Sequence, residues 1–393
     1  MTAAFQILLA ALAIFLAVKF RDAIPSAYFC LSVLFSLWVM VKISAWFLQW
    51  SVKRYCNLSP PNVAIHHFIR DSGLFHHLMA IMSISTIKTV LLLRPDILWH
   101  SVRLAWSRKT LRYGQHSPSQ IMELFLPPPH QQEDQRPAEG VVVFVHGGAW
   151  GSGSPSMYRL LALPLEPMNW AVAVVGYRIY PEGDASSQIQ DLEMAMKVLQ
   201  REHPEICQRN VCLMGHSSGS HIALLTLVER LRHKLELHRA GNDTALQQWE
   251  NSLVKINSFV GVSGPYNIFN HFDFEASRGV EQISPMQPAC GNSREKFLRY
   301  SPAVQLSHLT KSLSSKERNL LSGYFPKMTL IHGMEDSTVP YSSSKEAARI
   351  FKTTGFTQCA EIYEKNVGHE EAILQIMLGG PIQDIVTETL TIT

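Results

Sequence analysis

Gly215-His216-Ser217-Ser218-Gly219 holds a serine between two glycines, at a spacing that can make an alcohol reactive. A short apolar run, Val211 to Met214, precedes it and reads as a buried strand. Apolar residues at helical spacing follow: Ile222, Ala223, Leu225, Leu227, Val228 and Leu231. A strand, a G-x-S-x-G turn and a helix together make a nucleophile elbow. The glycines let the chain reverse sharply where a side chain would collide, and Ser217 sits at the tip with its hydroxyl exposed. The helix N-terminus behind it presents free N–H groups to an anion. The pentapeptide alone arises by chance as a plain Ser/Gly turn. Its place between a strand and a helix gives it weight.

An activated serine needs a base, an acid to orient the base, and donors for the oxyanion. His146-Gly147-Gly148-Ala149-Trp150 follows the apolar run Val141 to Val145, where a glycine-lined turn lets the main chain approach a substrate. The N–H groups of Gly148 and Ala149, with Gly147 as a further candidate, would join that of Ser218 as the oxyanion hole. Asp336 follows the run Lys327 to His332 and fits the acid better than its neighbour Glu335. His369 comes after the last strand-like run, Ala360 to Glu364, in a loop before a final helix, which sets it apart from the rest of the 17 histidines. The order Ser217, Asp336, His369 is that of α/β-hydrolases, unlike the trypsin-like and subtilisin-like orders. His369 would take the serine proton and return it to the leaving alcohol, while Asp336 holds the imidazole in the right tautomer. Water would then hydrolyse the acyl-enzyme, with no cofactor and no metal required.

These side chains must be carried by a sheet. Gln120–Leu126, Val141–Val145, Ala171–Gly176, Val211–Met214, Ile256–Val262, Lys327–His332 and Ala360–Glu364 are the strand candidates. The most apolar of them suit a mostly parallel sheet covered on both faces. Ser186 to Arg201 reads as a helix with Ile189, Leu192, Met196 and Leu199 inward. Its Asp191 is a candidate helix-dipole or core-bracing partner instead of a catalyst. Leu235 to Glu250 is polar and reads as a surface excursion. Residues 269–321 lack a strand pattern and carry Phe272, Phe274, Met286, Phe297 and Tyr300. They suit a cap forming an acyl or lipid pocket, with helices packed at the sheet edge as the alternative.

The N-terminal part has a different character. Met1 to Val18 and Ile24 to Val41 carry no charged side chain, and each is long enough to cross a bilayer. Trp38, Trp46 and Trp50 suit an interfacial position. The expectation is a membrane anchor of two helices over 1–54, a membrane-proximal amphipathic helical segment over 55–113, and a catalytic domain over 114–393. A cleaved signal peptide is the rival for the first run, although it lacks a positive n-region. Pro95-Asp96 marks a helix start, and that basic helix either lies on an anionic membrane surface or packs on the hydrolase. The few flanking cations leave the orientation finely balanced. The catalytic part is expected on the cytosolic face, whereas the sequon Asn242-Asp243-Thr244 would speak for the lumen. Only 17% of residues are charged, and the net charge is +3, so a general nucleic-acid binder is excluded. The six cysteines show no C-x-x-C pair, and His66-His67 and His76-His77 lack an acidic partner at ligand spacing.

With these residues assembled, the sequence resembles α/β-hydrolases of the prenylcysteine carboxyl methylesterase group, near the kynurenine formamidases and feruloyl-esterase-like carboxylesterases that share H-G-G-x-W. The motifs are Leu111 to Gly114, Phe144 to Trp150, Tyr177-Arg178 with Pro181 and Gly183, the elbow, and Ser263 to Asn267. Arg278-Gly279, Tyr300-Ser301-Pro302, His332-Gly333 with Asp336, and Gly368-His369 complete them. His216 and Ser218 stand where Gln and Ala are expected. The resemblance implies hydrolysis of prenylated cysteine methyl esters and an integral position in endoplasmic reticulum or Golgi membranes. The expected partners are thus a hydrophobic ester and membrane lipid. A general lipid or xenobiotic carboxylesterase, an arylformamidase, and a catalytically silent receptor module are the alternatives.

Overall fold

The computed structural model describes residues 95–128, 137–281, 284–321, 323–355 and 357–391. The two apolar runs of the expected anchor and the paired histidines at 66–67 and 76–77 lie outside the described residues. Among the described residues, no helix is long and apolar enough to cross a membrane.

Eight strands form one sheet in the order β1-β2-β4-β3-β5-β6-β7-β8. They are β1 (Lys109–Arg112), β2 (Ile121–Phe125), β3 (Gly140–Val145), β4 (Trp170–Val175), β5 (Asn210–His216), β6 (Ser258–Val262), β7 (Lys327–Gly333) and β8 (Cys359–Glu364). The pairs β1–β2 and β2–β4 are antiparallel. All other pairs are parallel. Every residue of β3, β4 and β6 is buried, as expected where helices cover both faces.

The helices are α1 (Pro95–Ser107), α2 (Ala185–Glu202), α3 (Ser218–Arg239), α4 (Asp243–Asn251), α5 (Ile268–Ser277), α6 (Met286–Ala289), α7 (Arg294–Arg299), α8 (Pro302–Lys311), α9 (Ser315–Leu321), α10 (Ser342–Thr354), α11 (His369–Leu378) and α12 (Pro381–Thr391), beside helical turns at Pro155–Leu161, Ala162–Leu165, Glu166–Met168 and Pro204–Cys207. Alternation along the strands divides the core in two. Val141, Val143 and Val145 face Leu192, Leu199 and Ile222 of α2 and α3. Val142 and Phe144 face Leu161, Ile373 and Val386 on the side of α11 and α12.

Two local expectations need correction, and a third gains detail. The sheet begins at Lys109, inside the stretch assigned to amphipathic helix, because Leu111 and Tyr113 point inward at strand period while Thr110 and Arg112 point out. The polar stretch after Leu235 lies at the surface as expected and is helical: α3 continues to Arg239 and α4 follows, capped by the Asn242 side chain accepting from the Ala245 amide. Salt bridges of Arg232 to Glu229 and Glu236, and of Lys234 to Glu250, favour helix there over a loop. Finally, His369 is the first residue of α11, and a second helix, α12, comes after it.

The stretch expected as a cap holds α5 to α9. Its first half rests on the glycine-rich turn: the Trp150 and His271 rings lie 6.2 Å apart, and a Cβ on Gly151 would come within 2.6 Å of Pro285. Its second half packs through α8 on α3 and α10.

Candidate active site

Strand β5 ends at His216, and α3 begins at Ser218, so Ser217 alone makes the turn, at φ 54° and ψ −126°. A non-glycine residue there stores roughly 1–3 kcal/mol of backbone strain, which the surroundings must hold. The Ser217 amide donates to Val262 O on β6 (2.9 Å), and the His221 amide donates back to Ser217 O (3.1 Å). A Cβ on Gly219 would lie 2.1 Å from Val145 O, so only glycine lets α3 start against the end of β3.

The turn after β3 abuts this elbow. A Cβ on Gly147 would lie 3.0 Å from His216 O and 3.1 Å from Ser217 Cβ. Gly148 has φ +137°, Ala149 φ 49° and Trp150 φ 60°, three successive positive-φ residues that bend the main chain sharply after β3. The turn is closed by the Gly151 and Ser152 amides and the Ser152 hydroxyl, all donating to Gly148 O. Among the described residues, the amides of Gly148, Ala149 and Ser218 donate to no backbone acceptor, whereas that of Gly147 donates to the buried Tyr158 hydroxyl. Tyr177 stacks on His146 (4.3 Å) and donates its hydroxyl to His146 O (2.7 Å). Trp150 is fixed from behind by its Nε1–H donating to His221 Nδ1 (3.0 Å), and His221 Nε2–H donates to Tyr300 O (2.7 Å).

Strand β7 delivers Asp336 and β8 leads to His369. His369 Nδ1 is 2.7 Å from Asp336 Oδ2, and His369 Nε2 is 3.0 Å from Ser217 Oγ. A ring nitrogen facing a carboxylate carries the proton, which leaves Nε2 as the acceptor for the serine hydroxyl. The other Asp336 oxygen accepts the amides of Thr338 (2.9 Å) and Val339 (2.8 Å). Burial raises the Asp336 pKa, but hydrogen bonds from His332 and His369 outweigh it and hold the carboxyl well below the usual range. Ser217 and Asp336, widely separated in sequence, are thus joined through His369, and Gly147 brings the glycine turn to Ser217.

Two further histidines belong to this constellation. His332 Nε2 faces Val339 O (2.9 Å) and Asp336 Oδ2 (3.2 Å), both acceptors, so it carries the proton, while Nδ1 accepts from the Ser344 hydroxyl (2.7 Å). The spacing His332-Gly333 to Asp336 was visible, but nothing in it showed that the histidine turns back onto the acid. His216 packs its ring 4.9 Å from that of His369, with Nε2 3.3 Å from His369 O. Burial, the leading cause, lowers the His216 pKa to about 3, so the ring is neutral at ordinary pH. In sequence it was only an unexpected residue beside the serine. Asp191 braces the core as one of its readings allowed: it is fully buried and accepts from Arg178 Nη2 (2.8 Å), the Arg178 amide (2.8 Å) and Gln120 Nε2 (2.7 Å).

The family model described as BD-FAE matches residues 122–351 of the 393, from within β2 to within α10. The chain belongs to the BD-FAE family. This BD-FAE chain is similar to curated methylesterases. A "Probable isoprenylcysteine alpha-carbonyl methylesterase" of Arabidopsis thaliana is 27% identical over 295 residues, 72% of this chain and 55% of that protein. An isoprenylcysteine alpha-carbonyl methylesterase of the same plant is 27% identical over 290 residues, 72% of this chain and 61% of that protein. The BD-FAE chain thus spans little more than half the length of these relatives. Among solved structures, esterase B from Lactobacillus rhamnosis superposes with a TM-score of 0.54 at 18% identity, covering 79% of this chain and 95% of that one. That likeness establishes the α/β-hydrolase fold.

Proposed function

We propose that this protein is a membrane-anchored serine esterase that hydrolyses hydrophobic carboxylic esters, with prenylcysteine methyl esters as the preferred class. The observation that carries the reading is the continuous chain of contacts from Asp336 through His369 to Ser217 Oγ. Ser217 attacks the ester carbonyl as His369 Nε2 takes its proton. Asp336 steadies the imidazolium, and the alkoxide-like oxygen forms against the amides of Gly148, Ala149 and Ser218. His369 then protonates the leaving alcohol. Water, activated by the same imidazole, releases the acid and restores the serine. The substrate class rests on the methylesterase relatives. The anchor rests on the uncharged runs Met1 to Val18 and Ile24 to Val41, and an endoplasmic reticulum or Golgi membrane with the catalytic part facing the cytosol is the proposed location.

The test is a substrate panel: esters of increasing acyl length, an aryl formamide and a prenylcysteine methyl ester, each with wild type and Ser217→Ala. Highest kcat/KM on the prenylcysteine ester, abolished in the variant, is expected. Preference for simple acyl esters would move the assignment to a general carboxylesterase, and preference for the formamide to an arylformamidase. Glycosylation at Asn242 in cells would overturn the cytosolic orientation.

A further inference from the structure

Helix α1 has two apolar faces, and only one of them is used by the fold. At 100° per residue, Ile97 and Leu104 share a side, and both are buried. Trp99, Val102 and Trp106 share the other at i, i+3 and i+7, with 67%, 43% and 87% of their surfaces exposed. An ordinary surface helix keeps charged and polar side chains on its outer stripe. Two tryptophans there are what a helix lying in a headgroup layer presents, since the indole buries an apolar body and keeps a polar N–H at the wet edge.

We infer that the Trp99–Val102–Trp106 face of α1 docks on an anionic phospholipid surface and holds the catalytic face of the domain against the bilayer. This rests on the esterase reading above and adds the surface by which a lipid-borne ester is approached. Three observations select lipid as the occupant. The 94 residues before α1 include two uncharged runs long enough to span a bilayer, Met1 to Val18 and Ile24 to Val41, so membrane-compatible sequence lies upstream of the first described helix. Residues 95–112 carry Arg103, Arg108, Lys109 and Arg112 against a single acid, Asp96. Arg103 and Arg108 pair with Glu166 and Glu123 yet keep 35% and 36% of their side chains exposed. The inner face of α1 packs on the 3-10 helix Pro155–Leu161, which leads directly out of the glycine turn and also touches α11, whose first residue is His369. Docking through α1 would therefore fix the reactive serine close to the interface.

The experiment uses the full chain in vesicles of phosphatidylcholine with phosphatidylserine, carrying Trp106→p-benzoylphenylalanine. Irradiation is expected to give a phospholipid adduct, in higher yield than in vesicles of phosphatidylcholine alone. Adducts only to residues 1–94 or to a second copy of the chain would overturn the proposal, and equal yields in both vesicles would overturn its anionic preference. A double variant, Trp99→Ser with Trp106→Ser, should lower turnover of a long-chain ester held in the vesicles about tenfold while leaving a soluble short-chain ester unchanged. Wild-type turnover of the vesicle-held ester by the variant would also overturn it. If the wild type hydrolyses neither ester, the esterase reading fails, and the photoadduct still decides the docking.

Discussion

His332 donates to the Asp336 oxygen that also receives His369, from 3.2 Å on the strand side, while His369 lies at 2.7 Å on the serine side. The acid is therefore clamped between two imidazoles, with its other oxygen held by two amides. His332→Phe removes the donor without opening a cavity. It should cut kcat by roughly 10²-fold, the size expected when a supporting contact lets a reacting group shift by about an ångström. Loss of a donor leaves the carboxylate a stronger acceptor for the proton on His369 Nδ1, so the acid limb of the pH–rate profile should move to higher pH. His332→Gln, which can still donate, should recover part of both. A folded His332→Phe with an unchanged profile would reduce the residue to packing.

Two buried aspartates separate structure from chemistry. Asp336→Asn should leave the fold intact and cost about 10⁴ in kcat, because the imidazole adopts the wrong tautomer. Asp191→Ala strands the Arg178 guanidinium beside a buried gap and should cost about 3–5 kcal/mol in unfolding free energy, with kcat per folded molecule near wild type. Denaturant melts and active-site titration on both variants check the contrast.

The glycine turn makes a sharper steric prediction. Gly148→Ala drives a Cβ to 2.2 Å from Ser152 O at a φ that side chains rarely adopt. The turn must open, displacing the donor amides, and a loss of about 10²–10³ in kcat is expected with a much smaller change in KM. Steady-state kinetics on a soluble ester decide this.

Stability should fall in mild acid for a reason outside the catalytic cycle. Burial, the leading cause in each case, lowers His146 and His221 to about 4 and His216 to about 3. Between these values and the ordinary imidazole pKa near 6.5, the unfolded chain binds protons that the folded one refuses. Unfolding free energy must then decrease as pH falls below about 6.5, by up to about 1.4 kcal/mol per pH unit for each such group. Tm measured from pH 7.5 to 4.5 should drop steadily, and His221→Gln should flatten the slope. A flat Tm across that range would contradict the burial of neutral rings.

Much of the catalytic domain was legible because its signals are short-range and strong. Fully apolar runs such as Val141–Val145 and Val211–Met214 have one stable use in a covered sheet, and Gly219 tolerates no side chain beside Val145 O. The elbow, glycine turn, acid and histidine each sit at the end of a strand, so the chain order fixed their convergence once the sheet was assumed. Other features lay beyond sequence. The strand at Lys109 is too brief for its alternation to outweigh the helical pattern before it. The clamp of His332 on Asp336 depends on how the loop folds back through Val339. In α1, apolar residues were visible, but which of them face the protein was decided only by packing against Pro155–Leu161.

The most direct measurement of the central claim is intact-mass and peptide mapping after treatment with a fluorophosphonate. One adduct per chain, located on Ser217, lost in Ser217→Ala and slowed by at least a hundredfold in His369→Ala, is the predicted result. No adduct on the folded wild type, or an adduct that persists in Ser217→Ala, would contradict the account.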